Sequence, residues 1–165
     1  MAPAAKPIPE GFRTVTPHLV VRGASDAIEF YKKAFGAEEI MRMPGPDGKS
    51  IMHSEIKIGD SILMVVDEMP HMEHCVSPQK LNGTSIAIAL YVPDADALYQ
   101  RAIDAGAKGT MPPMDAFWGD RYSKVTDPFG HEWEICTPKE DLTPEEIGKR
   151  AQEWMANMGQ GTCGA

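Results

Sequence analysis

Five ionisable residues, spread along the chain, have the chemistry needed to bind or transform a small molecule: His18, His53, Glu55, Arg121 and Glu134. Imidazoles and carboxylates bind divalent metals, and they also act as general acids and bases. Beside an arginine, the same carboxylates could instead form a salt-bridged network that orients a bound ligand. Either use requires the side chains to meet in one cavity, so the elements that carry them decide whether such a site exists.

A second group with metal-like chemistry is the segment that holds His71, His74 and Cys75. Its two histidines would share a face only if the segment were helical, and the prolines at 70 and 78 disfavour a helix. We interpret the segment as a solvated loop over the mouth of the cavity. A metal site in this loop is the alternative.

The composition sets limits on the class of protein. The chain has 165 residues, a net charge of −8, 42% hydrophobic residues and 24% charged residues, which is typical of one globular domain. We expect no nucleic-acid partner, because a phosphate backbone requires a basic surface. We also expect no membrane association, since no apolar run approaches the length of a membrane span. Three widely spaced cysteines favour reduced thiols and a cytoplasmic location.

An internal repeat predicts the architecture. Residues 27–37 are similar to residues 97–107, with a constant difference of 70. A repeat at a fixed spacing indicates two copies of one structural unit. The matched pairs are Ala27 and Ala97, Ile28 and Leu98, Gly36 and Gly106, Ala37 and Ala107, and Met41 and Met111.

Each copy has the pattern of a strand, a helix and three strands. In the first copy we predict strands at 14–21, 38–43, 51–58 and 61–66, with a helix that Gly36 ends and that Ser25 or Asp26 caps. In the second we predict strands at 85–92, 107–111, 119–126 and 131–137, with a helix from about 94 to Gly106. Thr143 and Glu146 form a capping box, which predicts a C-terminal helix.

Alternation along the strands predicts which side chains face the cavity. Side chains of successive strand residues point to opposite faces. Hydrophobic residues suit the face that the helices cover, which sends His53, Glu55 and Glu134 to the other face. The repeat spacing of 70 places Arg121 and Ser123 there as well. The predicted cleft is completed by Thr16, His18, Leu63, Ala87, Ala89, Tyr91 and Trp118.

Four motifs resemble the vicinal oxygen chelate superfamily, which includes glyoxalase I, bleomycin-resistance proteins, fosfomycin-resistance enzymes and extradiol dioxygenases. The resemblance covers about residues 14–138 and is greatest to the PhnB-like branch. It implies an α+β fold in which tandem βαβββ modules form a curled mixed sheet around a cleft, and it implies dimers. The motifs are Phe30–Ala37, Gly59–Ser61, Phe117–Tyr122 and Asp127–Trp133.

Many members of that family hold a divalent metal with side chains from the first and last strands of each module. The resemblance places these four positions on Thr16, Leu63, Ala87 and Glu134, of which only Glu134 is a good ligand. The usual metal site is therefore incomplete. If zinc, nickel, manganese or iron binds at all, we expect Glu134 with His18, His53 or Glu55 to hold it.

The resemblance and the residues together predict a glyoxalase-like enzyme with lyase or transferase chemistry on a small organic substrate. Its catalytic residues would be Glu134, Glu55, His53 and Arg121. The alternative is a non-enzymatic protein that binds a drug or metabolite, as bleomycin-resistance proteins do. We expect a homodimer.

The predicted organisation has three parts. A flexible lead-in spans 1–12, the main domain spans 13–138, and a helix with a tail spans 139–165. Within the main domain we expect modules at 13–67 and 84–138, joined by a loop at 68–83.

Overall fold

The first half of the chain forms a four-stranded mixed sheet with one helix on a single face. The computed structural model describes residues 6–69, 72 and 74–160, with the side chains of 158–160 excepted. The strand order is β1-β4-β3-β2, in which β1 pairs parallel to β4 and the other neighbours are antiparallel. The elements are β1 (His18–Val21), α1 (Ala24–Phe35), β2 (Glu38–Pro44), β3 (Ile51–Ile58) and β4 (Ser61–Asp67).

The second half repeats this arrangement, with the strand order β5-β8-β7-β6 and β5 parallel to β8. The tandem α+β fold that the sequence predicts is therefore confirmed. The remaining elements are α2 (Pro78–Leu81), β5 (Ala87–Tyr91), α3 (Ala95–Ala105), β6 (Lys108–Asp115), β7 (Asp120–Thr126), β8 (Glu132–Pro138) and α4 (Pro144–Gln160).

The start of α1 differs from the prediction. The helix begins at Ala24 after Gly23, whose φ of 86° suits glycine. Neither Ser25 nor Asp26 caps it. Instead Asp67, at the end of β4, accepts hydrogen bonds from the backbone N–H groups of Gly23 at 2.8 Å and Ala24 at 2.9 Å. A cap supplied from 43 residues away leaves no local signal in the sequence.

Aromatic packing joins the two halves. Helix α1 packs against α3, and Tyr31 and Phe35 of α1 contact Trp133 of β8, with ring centroids 5.3 and 4.6 Å apart. Tyr31 and Trp133 are fully buried. Because both helices lie on the same side, both sheets turn their other face away from the core. We call those two faces the first and second concave faces.

A buried carboxylate reinforces this junction. Asp127 Oδ2 accepts hydrogen bonds from Tyr31 Oη at 2.8 Å and Trp133 Nε1 at 2.9 Å. Its Oδ1 accepts from the backbone N–H groups of Phe129 and His131, both at 2.9 Å. The carboxylate therefore shapes the β7–β8 turn and also ties the second module to α1 of the first. Burial, followed by the nearby Asp127 charge, raises the pKa of Tyr31, so its hydroxyl stays a donor.

The edge strands β1 and β5 lie beside each other without pairing into one sheet. Crevices between them have volumes of 540, 340 and 760 Å³. His18 and Leu19 of β1 line one of these crevices together with Ala87 and Ile88 of β5. His131 bridges the gap, with its Nε2 3.2 Å from the Val20 carbonyl oxygen.

The segment after β4 is anchored by Glu68. Its carboxylate accepts hydrogen bonds from the Ser77 backbone N–H at 2.9 Å and the Ser77 hydroxyl at 2.6 Å, and it contacts Arg22 at 3.3 Å. Hydrogen bonds from Ser77 hold the pKa of Glu68 at about 2, below its ordinary 4.5. The charged form is therefore favoured in the folded protein.

This shift predicts a pH dependence. Because the pKa is lower in the folded state, the stabilisation by Glu68 is complete above about pH 4.5 and is lost as the pH falls toward 2. As the pH falls through that window, the free energy of unfolding measured with urea should therefore decrease more for the wild type than for Glu68→Gln. Parallel curves for the two proteins would contradict the assignment.

The C-terminal helix begins at the predicted capping box. The Thr143 backbone N–H donates to Glu146 Oε2 at 2.8 Å, and the Glu146 N–H donates to Thr143 Oγ1 at 3.3 Å. Trp154 of α4 packs on Phe117, with ring centroids 5.4 Å apart. Among the helices of the described residues, none has the length and apolar character to cross a bilayer.

Candidate functional site

The second concave face is a grid whose rows follow from the strand register. Residues directly opposite each other across neighbouring strands share a face. Reading from β5 through β8 and β7 to β6, one row is Tyr91, Cys136, Tyr122 and Met114, and the next is Ala89, Glu134, Lys124 and Met111. Asp120 and Trp118 border the first row, while Ala87 and Glu132 begin a third.

The first concave face has the same grid with different chemistry. From β1 through β4 and β3 to β2, the row that corresponds to Glu134 is His18, Met64, Glu55 and Met41, which the register of the strands fixes. The row that corresponds to Tyr122 contains His53 and Met43. Each residue of one face thus has a counterpart on the other, and His53 occupies the place of Tyr122.

The prediction that Arg121 and Ser123 face the cleft is wrong. Ser123 is completely buried under the helices, where its hydroxyl donates to the Ile135 carbonyl oxygen, as Ser54 does to Val65 in the first module. The two serines differ by 69 in number, whereas the two acceptors differ by 70. The connections 45–50 and 116–119 have different lengths. A shift of one residue moves a strand's side chains to the opposite face.

Arg121 accordingly points to the helical side. Its guanidinium donates to both carboxylate oxygens of Asp96 in α3, at 2.7 and 2.8 Å, and to Asp115 at 3.2 Å. The Asp96 carboxylate raises the pKa of Arg121 above its already high value. The residue therefore joins α3 to β7 and does not meet Glu134.

The prediction that Leu63 lines the cleft is also wrong. It lies opposite Ile56 and is 3% exposed in the core, on the helical face of β4. Its counterpart in the second module is Trp133, and the counterpart of Glu134 is Met64. Thr16 lies outside β1, and its hydroxyl donates to the Arg13 carbonyl oxygen at 3.0 Å.

A histidine cluster occupies the first concave face. His53 Nε2 lies 3.3 Å from Glu55 Oε1, and both side chains are partly buried. Burial, and next the proximity of His53, lowers the pKa of His18. An imidazole with a lowered pKa stays neutral near physiological pH and can accept a proton.

An aromatic and acidic cluster occupies the second concave face. Trp118 Nε1 donates to Asp120 Oδ2 at 3.1 Å, and the Trp118 and Tyr122 rings meet edge to face at 5.2 Å. Burial, followed by the Glu134 carboxylate, raises the pKa of Tyr122. The charge of Asp120 is the largest cause that raises the pKa of Tyr91. These shifts show that both phenols stay protonated in a negative local field.

Cys136 lies between the two tyrosines and is buried. Burial, followed by Asp120 and Glu134, raises the pKa of its thiol to about 11. The nucleophilic form of cysteine is the thiolate, so a pKa this high leaves Cys136 unreactive at neutral pH.

Three of these residues were not predicted from the sequence. Asp120, Tyr122 and Lys124 lie on the second concave face, yet the error of one residue in β7 had assigned their neighbours Arg121 and Ser123 to it. Lys124 Nζ lies 2.8 Å from Glu132 and 3.9 Å from Glu134. The alternation from Val125 and Trp133, both clearly hydrophobic, is the signal that could have found them.

The four predicted catalytic residues do not converge. Glu55 and His53 lie on the first concave face, Glu134 lies on the second, and Arg121 lies under α3. The neighbours of Glu134 are Lys124 and Tyr122, and a protonated lysine or tyrosine is a poor metal ligand. Within the described part of the chain, no three histidine, cysteine or acidic residues come together as metal ligands. The donor set in one chain therefore does not fit a metal centre.

The predicted loop cluster is only partly visible. His71 lies outside the described residues. Cys75 Sγ is 3.8 Å from the Asp67 carbonyl oxygen, and His74 is exposed. The described residues of this loop thus form no metal site with the chain's other ligands.

Comparisons with known proteins agree with this fold. An uncharacterized protein of Mycobacterium tuberculosis, Rv0887c, is 43% identical over 149 residues, which cover 89% of this chain and 85% of that protein. The crystal structure of TioX from Micromonospora sp. ML1 superposes with a TM-score of 0.62 at 27% identity, over 76% of this chain and 98% of that one.

The PhnB protein from Bacillus cereus shares the fold, with a TM-score of 0.60 at 14% identity, over 76% of this chain and 99% of that one. The model of one family matches residues 13–135, which is most of the chain. This chain therefore belongs to the Glyoxalase/Bleomycin resistance protein/Dioxygenase superfamily.

Proposed function

We propose that this protein binds a small organic molecule on its second concave face and that binding does not require a metal. The observation that carries the proposal is the grouping of Trp118, Tyr91 and Tyr122 around Glu134 and Asp120. Aromatic faces supply most of the contact area in ligand sites, and a few polar groups fix the orientation. Tyr91 is 67% exposed, so the surface is open to a ligand.

The chemistry of the same face favours binding over covalent catalysis. Cys136 keeps its proton, and the nearest cation to Glu134 is Lys124 rather than an arginine anchor. The family description names a bleomycin resistance protein beside a glyoxalase and a dioxygenase. Membership is thus compatible with a protein whose activity is binding.

The test is a screen of aromatic drugs and metabolites by thermal shift, with protein that has been treated with EDTA. We expect at least one compound to raise the melting temperature, and we expect added zinc, nickel, manganese or iron to leave its affinity unchanged. Glu134→Gln should alter that affinity without altering metal content. A ligand that binds only after a metal is added would refute the proposal.

A second candidate is the glyoxalase-like enzyme, with lyase or transferase chemistry on the first concave face. The observation that favours it is His18, whose lowered pKa suits a general base, next to the His53–Glu55 pair. His53→Ala should then abolish turnover of a bound compound. The same variant should leave binding on the second concave face unchanged if the first candidate is right.

We further propose that the protein is a cytoplasmic homodimer. Support comes from large apolar side chains on the surface, among them Ile86 at 70% exposed and Leu81 at 64%. Exposed apolar patches often mark subunit contacts. Sedimentation of the purified chain would test the assembly.

A further inference from the structure

We propose that the ligand of the second concave face is an organic cation, namely an amine or quaternary ammonium joined to an apolar group. This inference rests on the proposed function and names the class of ligand. The geometry that points to it combines aromatic rings with two carboxylates: Asp120, which forms no ion pair with the described residues, and Glu134, which Lys124 approaches only to 3.9 Å.

Aromatic rings extend from α4 to the second concave face. Trp154, Phe117, Trp118 and Tyr122 form a continuous series of ring contacts, with centroid distances of 5.4, 4.9 and 5.2 Å. The series runs from α4 onto the concave face, where Tyr91 lies in the same row as Tyr122. A cation above such rings is attracted by their electron-rich faces, and a quaternary ammonium is a ligand that proteins recognise in this way.

The Asp120 carboxylate lies at the edge of these rings, next to Trp118. Its side chain is nine-tenths buried, with an exposure of 9%. Trp118 donates to Oδ2, whereas Oδ1 receives no hydrogen bond from the described residues. None of the described residues has a polar side-chain atom that is both sealed from solvent and unpartnered. Oδ1 therefore keeps some exposure to solvent, and we place the bound ammonium beside it.

Among the described residues, little positive charge lies near these two carboxylates. Within the described residues, no lysine or arginine nitrogen lies within 4 Å of Asp120. Lys124 approaches Glu134 only to 3.9 Å and lies closer to Glu132, at 2.8 Å. Among the described residues, Asp120 thus lacks a counter-ion, and Glu134 shares its only one, Lys124, with Glu132. The pKa values of Tyr91, Tyr122 and Cys136 are all raised in part by these carboxylates, which is consistent with a negative field there.

A matched set of probes tests the inference. The cation is meta-hydroxyphenyl trimethylammonium, its neutral isostere is meta-tert-butylphenol, and the anion is meta-hydroxybenzoate. We expect calorimetry on the whole protein to show that the cation binds about tenfold or more tightly than the isostere and that the anion binds most weakly. Because cation and isostere have the same shape, their difference isolates the charge.

Variants locate the effect. Asp120→Asn and Glu134→Gln should each weaken binding of the cation several-fold and leave binding of the isostere unchanged. Lys124→Gln should strengthen cation binding, because it removes the competing charge. Glu38→Gln is the control, since Glu38 lies beside Lys57 on the first concave face. If Asp120→Asn does not fold, the opposite effects of Glu134→Gln and Lys124→Gln still decide the question.

The outcomes separate the two proposals. If the isostere or the anion binds as tightly as the cation, the inference is overturned and the proposed function stands. If none of the three probes binds and no compound of the wider screen binds either, both proposals fall. A preference for the cation that Glu134→Gln and Lys124→Gln leave unchanged would place the cation elsewhere and would also overturn the inference.

Discussion

Replacement of Asp127 by alanine should destabilise the protein more than any other single carboxylate substitution. The change leaves three buried donors and one partly buried donor without an acceptor: Tyr31 Oη, Trp133 Nε1 and the Phe129 N–H are buried, and the His131 N–H is partly buried. Buried donors without partners carry a large desolvation cost, so we expect a loss of about 3–5 kcal/mol in the free energy of unfolding. Urea or thermal unfolding monitored by circular dichroism measures it.

Matched variants distinguish the contact that Asp127 makes between the two modules from its effect on the β7–β8 turn. Asp47 makes similar Oδ1 contacts to the backbone N–H groups of Lys49 and Ser50, but it is exposed in the β2–β3 turn. Asp47→Ala should therefore cost only a small fraction of the Asp127 effect. Tyr31→Phe removes one donor and should cost about 1–2 kcal/mol. Similar losses for Asp47→Ala and Asp127→Ala would show that the contact between modules contributes little.

Replacement of Tyr122 by alanine should weaken ligand binding by about tenfold or more. The ring lies at the centre of the second concave face, between Trp118 and the Glu134 carboxylate, and the change removes its aromatic surface. The affinity of meta-hydroxyphenyl trimethylammonium, or of the tightest compound from the screen, measures the loss by calorimetry. Tyr122→Phe keeps the ring and should retain most of the affinity.

The chain contains its own control for this variant. His53 occupies on the first concave face the place that Tyr122 occupies on the second. His53→Ala should leave the affinity unchanged, although the enzyme candidate predicts that it destroys turnover. Should His53→Ala weaken binding as much as Tyr122→Ala does, the ligand contacts both faces, and the assignment to one face is wrong.

The repeat predicted the fold because its signal is local and redundant. Helix ends, turns and alternating strands recur in both halves, so an error in one half does not alter the architecture. The capping box of α4 was equally readable, since both of its partners lie within one turn. By contrast, the cap of α1 comes from Asp67 at the end of β4. The periodicity of the sequence cannot predict a contact between residues so far apart in the chain.

The site was less predictable because a sheet amplifies small errors. Transferring the spacing of 70 from the helices to β7 ignored a difference of one residue, which moved Arg121 and Ser123 to the wrong face. The same assumption concealed Asp120, Tyr122 and Lys124. The prediction also assumed that all of the ionisable residues line one cavity. The two concave faces instead carry separate groups, with histidines on the first and aromatic residues with carboxylates on the second.

Methionine methyl NMR tests the central claim most directly. Met111 and Met114 flank the second concave face, and Met41 and Met43 hold the equivalent places on the first. With methyl-labelled methionine, addition of the tightest ligand should shift the signals of Met111 and Met114 and leave those of Met41 and Met43 in place. Shifts confined to Met41 and Met43 would contradict the account and would assign ligand binding to the histidine cluster.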